Sequence, residues 1–236
     1  MSMSDLQLLQ LQVDALFTHD PRGRICYVNE PGGDRAPRFF FGRSREGHIW
    51  RCRDDLADET GRTLDALASA EPVRDDLRAE PRHLDAFLAA LRADRESVSI
   101  ESGPAYRFPD ELPLPANVTR ITRSDLHLLQ PMAWDLDEAA REFEGREPYM
   151  AVVEHGVAVS LCHSARLTAQ AAEAGVETVE AHRGRGYASA VVVGWAHTVR
   201  ATGRIPLYST SWNNLASQGV ARKLRLVQYG TDLSLG

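Results

Sequence analysis

Residues 176–189, VETVEAHRGRGYAS, limit the fold more than any other stretch of the chain. They read as a strand, a tight basic turn and the opening of a helix that runs on to Arg200. Gly184 and Gly186, one residue apart, let the backbone turn sharply and approach a ligand with no Cβ in the way. The helix behind them directs its free N–H groups and the positive end of its dipole at whatever sits in the turn. Arg183 and Arg185 add two permanent cations with forked donors, so the stretch is suited to phosphate.

Two common phosphate-binding patterns fit poorly. A dinucleotide turn of the G-x-G-x-x-G kind needs a third glycine where Ser189 stands, and an acidic residue on the next strand, residues 205–211, which has none. A G-x-x-x-x-G-K-S/T loop is excluded because the sole lysine is Lys223. Arg183-Gly184-Arg185-Gly186-Tyr187-Ala188 instead resembles the R/Q-x-x-G-x-G/A signature of the GNAT superfamily of N-acetyltransferases. A second segment, residues 213–226 (NNLASQGVARKLRL), resembles that superfamily's N-x-x-S-x-x-V-x-x-K-x-G-F helix, in the right order and at the right distance.

The resemblance covers about half of the 236 residues. It implies a GNAT fold, a mixed and mostly antiparallel sheet flanked by helices, over residues 116–236, preceded by an N-terminal α/β domain over 1–115. The phrase Gly175-Val176-Glu177-Thr178 and the bulky last strand look closest to the glycine N-acyltransferase-like branch, in which an N-terminal α/β half also precedes the coenzyme domain. The resemblance further implies that acetyl-coenzyme A is held by Val179, Arg183, Gly184, Arg185, Gly186, Tyr187, Ala188, Asn214, Ser217 and Lys223.

Charge supports a small polyanion. The chain carries −6 overall, yet residues 181–231 contain no Asp or Glu and seven basic residues. The remainder holds 20 basic and 33 acidic residues, or −13. A basic island in an acidic chain suits a phosphorylated cofactor more than nucleic acid, which asks for a broad basic surface. Arg200, Arg204, Arg222 and Arg225 are read either as part of this island or as solvated helix faces.

Other classes recede. No run reaches the roughly 18 apolar residues of a membrane span, and residues 1–20 lack a basic start followed by a long apolar core, so a cytoplasmic protein without membrane attachment is expected. Cys26, Cys52 and Cys162 are too few and too scattered for a disulfide framework or a zinc site, and the eight histidines show no ligand spacing. No catalytic metal is expected.

In the N-terminal half, residues 5–16 are apolar at helical spacing but open as to type. Residues 24–28, 38–42 and 48–52 read as strands of an antiparallel meander. Helices are expected over 58–69 and 82–93, the second with Pro81 in its first turn, then one strand or two over 97–102 and 105–108. Three prolines in residues 109–115 mark a linker and the domain boundary. The second half reads as a strand at 118–121, helices over 123–136 and 136–143 with Ser124 as a cap, and a hairpin turned at His155-Gly156. A strand at 175–179, a helix over 187–201, a strand over 205–211, a helix over 214–223 and a strand over 227–235 complete it.

Acyl transfer to an amine requires a base for the amine, polarisation of the thioester carbonyl and a proton for the thiolate. Many relatives place a glutamate on the strand before the phosphate turn, which makes Glu173, and after it Glu177, the candidate bases. Their even separation puts both on one strand face. The family's usual acid, a tyrosine on the last helix, is replaced by Ala221, and Arg225 stands where glycine is common. Ser217, Tyr208 or Tyr229 could serve instead, or the thiolate could leave unassisted. Cys162 and His163 are strand neighbours facing opposite ways, so they form no nucleophile pair. Trp212 is read as acceptor-site floor or core.

The expected activity is transfer of an acetyl or short acyl group from acyl-CoA to an amine of a small molecule or peptide. A homodimer remains open. The alternatives are a catalytically degenerate CoA-binding sensor, motivated by the missing tyrosine, and a nucleotide-binding oxidoreductase, motivated by Gly184 and Gly186.

Overall fold

The computed structural model describes residues 3–93, 97–115, 117–132 and 135–236. Residue 116, the first of the expected coenzyme domain, and residues 133–134, within the helix expected over 123–136, lie outside the described residues. The chain divides into two compact units. The first takes Met1–Tyr106, Ser209–Leu215 and Gln228–Gly236; the second takes Arg107–Tyr208 and Ala216–Val227.

The first unit opens with α1 (Asp5–Leu16), whose type is decided by a capping box. Ser4 Oγ accepts from the Gln7 N–H at 3.2 Å and Gln7 Oε1 accepts from the Ser4 N–H at 2.9 Å, satisfying donors that the helix leaves open. β1 (Phe17–His19), β2 (Ile25–Val28), β3 (Phe39–Arg43) and β4 (His48–Cys52) follow, then α2 (Asp58–Ser69), α3 (Leu84–Arg92) and β5 (Ile100–Arg107). Pro81 is not in the first turn of α3. The buried carboxylate of Glu71 accepts from the backbone N–H groups of Arg82 at 2.6 Å and His83 at 3.0 Å, which holds those residues outside the helix. β5 is a single strand, one of the two readings open for residues 97–108. Gly103 lets residues 209–215 pass so close that a Cβ there would meet Thr210 O at 1.6 Å, and Pro104 and Ser102 carbonyls accept from the Thr210 and Trp212 N–H groups.

The second unit holds β6 (Thr119–Ile121), a 3-10 segment Arg123–Met132, α4 (Leu136–Arg146), β7 (Tyr149–Glu154), β8 (Val157–Leu167), β9 (Ala171–Thr178), α5 (Tyr187–Ala201), β10 (Ile205–Ser209) and most of α6 (Leu215–Lys223). Its strand order is β10-β9-β8-β7-β6, antiparallel throughout except for the parallel β9–β10 pair. His155 (φ 51°) and Gly156 (φ 80°) turn the β7–β8 hairpin, both left-handed as its tight turn demands. Ser124 does not cap a helix: Asp125 Oδ2 accepts from the Thr122 N–H at 2.9 Å, and Asp135 caps α4 through the N–H groups of Asp137 and Glu138. Ile121, Leu129, Phe143, Tyr149 and Leu161 pack between the sheet and α4.

The last strand, β11 (Val227–Leu235), belongs from Gln228 onward to the first unit, where the order is β4-β3-β11-β5. The expected meander of residues 24–28, 38–42 and 48–52 is therefore not formed. β2 pairs with β1, and β3 lies between β4 and β11, with Phe39 opposite Leu235 and Phe41 opposite Leu233. Burial explains the insertion. Phe39 and Phe41 face α2 and α3 through Leu64, Phe87 and Leu91, while Phe40 faces Val13, Phe17 and Ile25. A strand buried on both faces needs a partner on each edge, and β11 supplies the second.

Candidate functional site

β9 reaches the basic turn already divided in its pairing. The parallel ladder with β10 covers Ala171, Ala172 and Glu173, the last opposite Leu207. The antiparallel ladder with β8 continues to Thr178, opposite Ser160. Along this strand Glu173 is 3% exposed, opposite Arg166, whereas Glu177 is exposed, opposite Leu161. The even separation of the two acids holds, but their surroundings differ.

Between them, Gly175 stands opposite His163, and a Cβ there would lie 2.8 Å from the imidazole Cε1. His163 stacks on Tyr149 at 5.5 Å, and Tyr149 stacks on Phe143 at 4.9 Å. Burial pushes the imidazole down to about 3, with Arg146 and Arg166 adding in the same direction, so His163 is neutral at working pH. Burial pushes the Tyr149 phenol up to about 12. Cys162 is fully buried with its thiol raised well above the ordinary range, so it is an inert core residue.

The turn itself follows from its glycines. A short 3-10 turn, Glu180–His182, leads to Arg183 in extended backbone, then to Gly184 (φ 76°) and Gly186 (φ 84°). Gly186 is the N-cap of α5 and no side chain caps the helix. The first intrahelical bond runs from the Ala190 N–H to Gly186 O, so the N–H groups of Tyr187, Ala188 and Ser189 have no partner within the helix. A Cβ on Gly184 would meet nothing within 4 Å, whereas one on Gly186 would lie 2.7 Å from Lys223 Nζ. The last turn of α6 thus sets the ammonium against the turn. An uncapped helix start, two glycines and a lysine make a cradle of the kind suited to phosphate.

Glu154, at the end of β7, ties the turn down. Its carboxylate accepts from the Tyr187 hydroxyl, lies 3.1 Å from His182 Nδ1 and 3.6 Å from Arg185 Nη1. The Tyr187 bond, with His182 and Arg185, holds this carboxyl below the usual range, so it is ionised. Arg185 also donates to Ala181 O at 3.4 Å and Arg183 to Thr178 O at 3.3 Å. Sequence reasoning missed Glu154. The hairpin beside it is legible, but nothing local says that its carboxylate meets residues about 30 positions later.

The remaining expected site residues are dispersed. Val179 donates its N–H to Val159 O and accepts from the His182 N–H, so its backbone is used within the fold. Ser217, in the first turn of α6, has its Oγ 2.7 Å from the buried Tyr208 hydroxyl on β10. Asn214 lies in the segment Ser209–Leu215 of the first unit and donates its N–H to Ser211 O. Tyr229 is buried in the first unit, its hydroxyl donating to Gln12 Oε1 at 3.1 Å. Trp212, also in the first unit, carries the Arg78 guanidinium over its ring at 5.2 Å.

Two arginines of the basic island have structural work. Arg200 donates to the carbonyls of Phe108, Pro109 and Asp110, and Arg204 to Thr168 O. Both side chains are partly exposed, with their guanidinium groups engaged by these backbone carbonyls. Arg225 has φ 54°, the left-handed conformation for which relatives of the pattern use glycine. The Leu226 N–H to Ala221 O and Arg225 N–H to Arg222 O bonds close α6 as a Schellman motif. Among the described residues no group of three or more His, Cys, Asp or Glu is placed to hold a metal, and no helix is long and apolar enough to cross a membrane.

The GNAT acetyltransferase family model matches residues 100–229. A GCN5-related N-acetyltransferase from Kribbella flavida is 15% identical, with a TM-score of 0.54 over 100% of this chain and 96% of its own. An acetyltransferase of the GNAT family from Colwellia psychrerythraea is also 15% identical, with a TM-score of 0.52 over 100% and 97%. A GCN5-related N-acetyltransferase-like protein from Streptococcus suis is 16% identical, with a TM-score of 0.50 over 85% of each chain. These likenesses extend the fold over the N-terminal half. No curated protein matches the chain.

Proposed function

The chain belongs to the GNAT acetyltransferase family and is an acyltransferase, and from that premise we propose that it transfers an acetyl or short acyl group from acyl-CoA directly to the amine of a small molecule or peptide. The observation that carries the cofactor is the uncapped start of α5, with Gly184 and Gly186 left-handed and Lys223 Nζ against the turn. Its N–H groups would bind the pyrophosphate, and Arg183, Arg185 and Lys223 would neutralise it. The glycine N-acyltransferase-like branch is the subgroup this reading favours.

In the reaction the amine gives a proton to Glu173 or Glu177 and attacks the thioester carbonyl. The tetrahedral intermediate then collapses, breaking the carbon–sulfur bond and releasing the CoA thiolate. Glu173 is the preferred base because it stands where the β9–β10 ladder stops. A proton for the thiolate comes from Ser217, resupplied by Tyr208 at 2.7 Å. This couple would replace the tyrosine whose usual place is taken by Ala221, 1% exposed.

Titration of acetyl-CoA into the protein tests the reading. Micromolar affinity that falls at least tenfold in Arg183→Ala/Arg185→Ala supports the coenzyme site; no binding by the wild type overturns it. An amine screen with Glu173→Gln and Glu177→Gln then identifies the base. The buried Ala221 favours one second reading, a CoA-binding module without turnover. CoA affinity without thiol release on any amine would select it.

A further inference from the structure

The first unit carries a second concentration of arginine, well separated in sequence from the turn. An open groove of about 580 Å³ is lined by Arg22 and Arg24 from the β1–β2 turn, Trp50 and Arg51 from β4, Arg53 just after it, and Arg62 from α2. That volume is in the range of small-molecule sites. Its arginines divide into two kinds. Arg24 is held by Asp20 at 2.8 Å, and Arg53, 9% exposed, is held by Asp55 at 2.7 Å and Ala36 O at 2.8 Å. These two are wall.

The other three are not neutralised. Among the described residues Arg51 donates only to neutral acceptors, Trp50 O at 2.8 Å and Gln10 Oε1 at 2.9 Å. Arg22 and Arg62 are exposed, and among the described residues their guanidinium groups have no hydrogen-bond or ion-pair partner. Asp58 and Asp65 also line the groove, and Asp65 accepts from Trp50 Nε1 at 2.8 Å. The same wall is the start of α2, with Ala57 at the cap position and no side chain capping it. In a chain with 33 acidic residues, three guanidinium groups left without carboxylate partners around one cavity are a charge arrangement suited to an incoming anion.

We propose that this groove binds a small organic polyanion bearing two or more carboxylate or phosphate groups, as a ligand site separate from the coenzyme turn. Arg22, Arg51 and Arg62 take the anionic groups, and the Trp50 ring and Leu56 form the apolar side of the groove. Carboxylate and phosphate present the same forked acceptors to arginine, so the two sources are separated by experiment.

Citrate and inorganic pyrophosphate are titrated calorimetrically, at fixed ionic strength, into the full chain, into Arg22→Ala/Arg62→Ala and into Arg183→Ala/Arg185→Ala. The expected result is saturable binding of at least one probe, weakened about tenfold or more in Arg22→Ala/Arg62→Ala and retained in Arg183→Ala/Arg185→Ala. The tighter probe identifies the source. Both altered groove positions are exposed, and unchanged melting temperatures establish that the variant is folded. Absence of saturable binding by either probe, or binding lost in the turn variant and kept in the groove variant, overturns the proposal. Neither outcome bears on acetyl-CoA affinity, which is measured separately.

Discussion

At the scale of single residues, the missing tyrosine at position 221 has the most direct chemical consequence. Tyr208 reaches Ser217 Oγ from β10, so a hydroxyl pair occupies the first turn of the same helix. If the pair delivers the proton, Tyr208→Phe lowers turnover about tenfold or more while acetyl-CoA affinity stays within about twofold. Steady-state kinetics with CoA titration separates these quantities, and loss of affinity instead would mark Tyr208 as packing. The glycine turn was legible in the sequence because a left-handed backbone and a free helix start are local properties of Gly184 and Gly186. The contacts of Arg200 were not legible, because its acceptors lie about 90 residues earlier and are backbone carbonyls that no side-chain pattern marks.

Among elements, α5 does two things. Its first turn presents N–H groups to the candidate coenzyme site, and its far end fastens residues 108–112. His197 Nε2 lies 3.1 Å from Leu112 O, and Arg200 donates to three successive carbonyls. Residues 109–115, with their prolines, are thus held to the helix. Arg200→Ala should lower stability by about 1–3 kcal/mol and open this segment to proteolysis, with acetyl-CoA affinity unchanged. Limited digestion and thermal melts check it; an unaltered cleavage pattern would show that the clamp does not hold the segment. α2, α5 and β11 were legible almost to the residue because hydrophobic period and terminal signals are written locally. The pairing of β3 with β11 was not, since register patterns say that a strand is buried and not by which distant strand.

For the whole molecule, the half-buried carboxyl of Asp232 on β11 sets a pH dependence. Burial is the main cause raising it to about 7, Gln12 Nε2 donates to it at 2.6 Å and lowers it in part, and Glu101 raises it further. The folded state therefore keeps a proton that the unfolded chain gives up near 3.8. Protein stability from this group is full below that value and is lost as pH rises to about 7. Asp232→Asn should raise the melting temperature at pH 8 and flatten the slope between about pH 4 and 7. Melts across that window decide it, and an unchanged slope would mean that Asp232 ionises normally. Nothing in the sequence marked this residue, because its burial depends on α1 and β11 meeting across 220 positions.

β11 has one more consequence, in the time order of synthesis. It lies between β3 and β5, yet it is made after both of them and after the intervening strands and helices. A ribosome therefore releases β3 and β5 with the slot between them vacant until residues 228–236 emerge, and β3, made before β5, waits the longer for this neighbour.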